Sequence, residues 1–130
     1  MAISFDSALG LHPGALALKA RRAEILANNI INSDTPGFKS RDFDFHSLLL
    51  GMTQKHLDLK QTHPQHAGGS AAGPDGDLHY RVPLQPAIDG NTVDAQFEQA
   101  AFTRNALQFQ TTMTFLNGRF RGLMAAIRGE

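Results

Sequence analysis

The chain has 130 residues, 42% of them hydrophobic, and a formal net charge of zero. That length suits a single domain, and neutrality excludes a strong electrostatic pull on nucleic acid or an anionic lipid surface. The absence of cysteine excludes disulfides, thiolate metal sites and cysteine nucleophiles, and no apolar run approaches the roughly 20 residues of a membrane span.

The first residues, Met1-Ala2-Ile3-Ser4-Phe5-Asp6, have neither a basic start nor a long apolar core. They are not read as a cleavable secretory signal. Residues 1–12 predict a short, weak helix with Phe5, Ala8 and Leu9 on one side, interrupted by Pro13-Gly14, since proline is tolerated in a first helical turn but not further in. The main N-terminal helix is predicted over residues 15–32. Its apolar residues Leu16, Ala20, Ala23, Ala27 and Ile30 step four, three, four, three, which places them on one stripe. Leu26 and Ile31 widen the stripe, and Lys19, Arg22 and Asn29 are assigned to the opposite face.

The run Asn32-Ser33-Asp34-Thr35-Pro36-Gly37 stops this helix. Thr35 is pushed out of helical geometry by the proline after it, and Pro-Gly makes a turn. Phe38, Phe43 and Phe45 follow in a mixed segment, and Phe45, Leu48, Leu49 and Met52 predict a short middle helix. From 61 to 78 periodicity is lost in a Gly-, Pro- and Ala-rich stretch that predicts a flexible loop. Tyr80-Arg81-Val82-Pro83 is extended, with room for one short strand.

Asp89-Gly90 makes a turn into the last helix, predicted over residues 92–128. Asn91 is its expected N-cap, Thr92 and Val93 open it, and Asp94 reaches back as in a capping box. Gly129 ends it. The helix would be about 50 Å long at 1.5 Å per residue. Its apolar residues Phe102, Ala106, Phe109, Met113, Leu116, Phe120, Leu123 and Ile127 again alternate steps of four and three, the heptad rhythm of a helix that lies along a partner. Small residues on the first stripe and large ones on the second suit facing helices. The fold expected is mainly α: two long terminal helices paired as an antiparallel coiled-coil hairpin, with a short middle helix and an irregular central loop. Gly118 and Gly122, four residues apart, are candidates for close approach of a neighbouring helix.

Chemistry is sparse. His56, His63 and His66 sit in or beside the Gly-rich stretch with no fixed carboxylate partner, whereas zinc needs three or four ligands in tetrahedral geometry. Asp42 and Asp44 alternate, but paired carboxylates need a pocket that splits their pKa values. No nucleophile elbow, P-loop or dinucleotide fingerprint is present. No cofactor, metal or catalytic residue is assigned, and the chain is not read as an enzyme.

Two segments match a known family. Ala27-Asn28-Asn29-Ile30-Ile31-Asn32-Ser33-Asp34-Thr35-Pro36-Gly37-Phe38-Lys39 resembles the N-terminal signature of bacterial flagellar rod and hook proteins, and with Arg41-Asp42-Phe43 it looks like a proximal-rod member. Tyr80 to Pro83, Asp89 to Asp94, Asn105 to Gln110 and Phe120 to Leu123 continue the likeness. Pro13-Gly14 departs from the continuous helix usual in the family. The resemblance implies a structural subunit, a single rod-type domain over 1–130. It would assemble helically through its terminal helices in the flagellar basal body, carry torque and line the export channel. Implied partners are other copies, the rod proteins FlgC, FlgF and FlgG, the adaptor FliE, and the export gate and MS ring. The implied location is the periplasmic rod, reached by type III export without a cleaved signal. Alternatives are another rod component such as FlgC or, from a different class, a small helical homodimeric adaptor.

Overall fold

The computed structural model describes residues 5–54, 78–83 and 87–129. In chain order they form α1 (Phe5–Leu9), α2 (His12–Ile31), β1 (Arg41–Asp42), α3 (Phe45–Gln54), β2 (His79–Tyr80) and α4 (Ala95–Arg128). Most of the predicted loop 61–78, with His63 and His66, lies outside the described residues, as does His56.

α2 begins at His12, three residues before the predicted start. Pro13 falls in the first turn, where its missing N–H costs no helical hydrogen bond. Gly14 has a packing role: a Cβ there would sit 2.8 Å from the sulfur of Met52, so the bare backbone lets α3 come close.

α2 and α4 pack along each other, and they run antiparallel. Asn29 meets Glu98 at one end, Lys19 meets Asn105 and Gln108 midway, and His12 stacks near Phe115 at the other, with ring centroids 6.2 Å apart. The helices are unequal, 20 residues against 34, so α4 continues past the start of α2, with α1 packed against it. β1 and β2 form a two-stranded antiparallel ribbon pairing Arg41 with Tyr80 and Asp42 with His79. With α3, the ribbon packs against α2.

The start of α4 differs from expectation. Asp94, not Asn91, is the N-cap: its carboxylate accepts from the backbone N–H groups of Gln96 and Phe97. Gly129, in the left-handed conformation, closes the far end. Among the described residues the buried apolar side chains are few. Leu18, Leu26 and Phe43 are the most enclosed, with Ala15 beside them.

Candidate assembly interface

The turn after α2 is closed from the far side of the sequence. Asn32 caps α2, its side-chain amide donating to the carbonyl and the side-chain oxygen of Asn28. Asp34, Thr35, Pro36 and Gly37 are exposed and Phe38 half-buried, and Gly37 takes a φ of 73° that a side chain would resist. Asn91, freed from capping α4, is buried and donates to the carbonyls of Asn32, Ser33 and Thr35. Thr92 and Val93, both half-buried, continue the clasp. The Thr92 hydroxyl accepts from the Ser40 backbone N–H at 2.8 Å, and Val93 N–H donates to Asn91 Oδ1.

Along the hairpin seam polar side chains are enclosed together with apolar ones. On α2, Ala15, Lys19, Leu26 and Asn29 are buried, with Arg22 partly so. They also step four, three, four, three, but each lies one residue before the predicted stripe. One residue is a 100° turn about the helix, so Leu16, Ala23, Ala27 and Ile30 are half-exposed at the edge of the seam and Ala20 is exposed. The assignment of Lys19, Arg22 and Asn29 to the face opposite the apolar stripe is overturned. Each has a partner from a distant part of the chain. Lys19 Nζ donates to Gln108 Oε1 at 2.9 Å and lies 4.2 Å over the Phe45 ring. Asn29 donates to Glu98 and to the Arg41 carbonyl. Arg22 holds Asp42 with two hydrogen bonds.

Arg81 ties the ribbon to the hairpin by pairing with both Asp42 and Glu98. Burial works to raise the Asp42 carboxyl, but hydrogen bonds and charge from Arg22 and Arg81 outweigh it and hold the group below its ordinary value. Glu98 goes the other way: burial raises it, and its hydrogen bond to Asn29 and the charge of Arg81 only partly offset that. Lys19 is lowered by burial and by the nearby Arg22 charge.

The α4 stripe divides. Phe109, Leu116 and Leu123, seven apart, are half-buried. Phe102, Ala106, Met113, Phe120 and Ile127 are exposed, Ile127 by 81%. The buried positions of α4 are Glu98 and Asn105. Because the two helices are antiparallel, a one-residue step onward in each turns a side chain toward the same flank. The exposed parts of both apolar stripes therefore lie side by side along one edge of the hairpin, while Arg81 and α3 occupy the other. A Cβ at Gly118 or Gly122 would meet nothing within 4 Å, so among the described residues no other helix approaches them.

Sequence reasoning missed Lys19, Arg22, Ser40, Arg81, Glu98 and Asn105. The one signal for Glu98 was its isolation: between Ala95 and Arg128 it is the only acidic residue, set among apolar and amide side chains.

A family model described as flagella basal body rod protein matches residues 11–39, which comprise α2 and its turn. The chain is 46% identical to the flagellar basal body rod protein FlgB of Aeromonas hydrophila over all of this chain and 99% of that protein. It is 42% identical to FlgB of Escherichia coli K12, over 95% and 94% of the two chains, and 43% identical to FlgB of Cereibacter sphaeroides, over 97% and 98%. The chain thus belongs to the FlgB family of flagellar basal body rod proteins, structural components of the basal body.

Proposed function

We propose that this chain is a single rod-type domain of the proximal rod, built into a helical assembly through its terminal helices. In that assembly it transmits torque and lines the export channel, having been exported to the periplasm without a cleaved signal. Its neighbours would be further copies, FlgC, FlgF and FlgG, and, at the base, FliE with the export gate and MS ring. The observation that carries this reading is the apolar flank. Phe102 and the heptad-spaced Met113, Phe120 and Ile127 stay exposed beside the half-exposed Leu16 and Ile30. An exposed apolar row of this length marks a surface that other chains cover. The small alanines beside it let a neighbouring helix come near, and Gly118 and Gly122 offer the same further along.

Replacing Met113 with Asp puts a charge on this flank without touching the buried seam. The expected result, in cells lacking their own copy of this protein, is loss of rods in purified basal bodies and loss of swimming. Rods of normal yield would overturn the assembly role of the flank.

A further inference from the structure

On the flank opposite the apolar row, a cavity of about 300 Å³ opens between the hairpin and the ribbon. Three guanidinium groups line it: Arg22, Arg81 and Arg104. Two are already matched, Arg22 by Asp42 and Arg81 by Asp42 and Glu98. Arg104 is exposed and has no carboxylate partner among the described residues. The Lys19 ammonium adds a further positive charge nearby, held on Gln108 at the cavity wall. Asp42 and Glu98 balance Arg22 and Arg81, which leaves the charge of Arg104 unmatched among the described residues. The remaining walls, Phe97, Ala100 and Ala101, are apolar, and Arg81 stacks 4.9 Å over the Phe97 ring. Cationic rim and apolar floor together fit a short methylene stem that ends in a carboxylate.

We propose that this cavity is a socket for an Asp or Glu side chain of a neighbouring subunit, received by Arg104 with Arg81 behind it. Guanidinium–carboxylate pairs are directional and shield well from water when set in a pocket. The inference rests on the rod-subunit reading and sharpens it. A subunit of a helical assembly meets its neighbours through different patches, and the socket is a second patch, on the flank opposite the apolar row.

The test compares Arg104→Glu, Arg104→Lys and Met113→Asp in cells lacking their own copy, scored by swimming and by rods in purified basal bodies. Among the described residues Arg104 has no hydrogen-bond or ion-pair partner, so charge reversal there is expected to spare the fold and cut rod yield about tenfold or more, while Arg104→Lys keeps most of it. Motile revertants of Arg104→Glu are expected to carry an Asp or Glu changed to Lys or Arg in a rod component. Normal rods with Arg104→Glu, or revertants that never map to a carboxylate, would overturn the socket. Normal rods with Met113→Asp would instead sink the rod-subunit reading of the apolar flank, so the two failures are distinguishable.

Discussion

The side-chain amide of Asn91 lies 2.7 Å from the carbonyl oxygen of Ser33, across 58 residues of sequence. It reaches the carbonyls of Asn32 and Thr35 as well. One buried amide thus satisfies the loose end of α2 and fixes the turn Asp34 to Gly37 against the segment that leads into α4.

Asn91→Ala removes a buried amide that donates to three carbonyls. The cost of leaving such groups unpaired is about 1–3 kcal/mol. The expected outcome is a lower midpoint in a denaturant titration followed by circular dichroism. Asn91→Asp is expected to do no better, since a carboxylate would face the same carbonyl oxygens.

Burial and exposure separate two apolar residues that look alike in the sequence. Leu26 is fully buried, and Leu26→Ala is expected to cost about 2–5 kcal/mol of folding stability. Met113 is 38% exposed at the edge of the hairpin, and Met113→Asp is expected to cost no more than about 1 kcal/mol. Denaturant titration of both purified variants checks the contrast, which would be absent if the apolar stripe of α4 were the hairpin's own core.

Acid is expected to weaken the fold through Asp42. Its carboxyl is held below the ordinary value, so the folded state binds that proton less readily than the unfolded one. This stability is complete above the ordinary carboxylate value of about 3.9 and is lost as pH falls through the lower folded value. Asp42→Asn is expected to remove that part of the acid transition. At neutral pH it would also cost about 1–3 kcal/mol, because Arg22 loses its half-buried carboxylate and Arg81 is left with Glu98 alone. Glu98 has the opposite sign: its raised carboxyl contributes less stability as pH rises through its folded value. Glu98→Gln is therefore expected to leave the acid transition of Asp42 in place. Melting curves across pH for the two variants check both signs.

Gly122 stands in open space inside a helix. Gly122→Leu is expected to leave the isolated chain as stable or slightly more so, by up to about 1 kcal/mol from helix propensity. If a neighbouring helix crosses there in the rod, the same change blocks assembly. A folded variant that assembles at normal yield would show that no neighbour comes close.

The helices, the turn at Pro36-Gly37 and the pairing of the chain's two ends were all legible, because capping, proline chemistry and heptad spacing are local signals. The face of each helix that turns inward was not. Hydrophobic periodicity marks a surface that avoids water, whether its cover is the same chain or another. In α2 it marks Leu16 to Ile30, beside the seam rather than in it. The seam itself holds Lys19, Asn29, Glu98 and Asn105, residue types that are seldom enclosed unless paired. Their pairings span between 69 and 89 residues, a distance at which no local pattern betrays them. Asn91 was assigned to the right neighbourhood with the wrong role, since Asn suits both a cap and a clasp and Asp94 stood ready to cap.

Where α2 begins, at His12, α4 still has residues 116–128 to run, about 20 Å of helix at 1.5 Å per residue. Among the described helices it is α1, five residues long, that packs against this end. A helix of that size is marginal by itself in water. Its backbone amides are therefore expected to exchange with solvent hydrogen far faster than those between Glu98 and Asn105 in the free chain. On incorporation into a larger structure they are expected to slow to the same rate. The free end of α4 would then act as a reporter of assembly that can be read amide by amide, without any mutation.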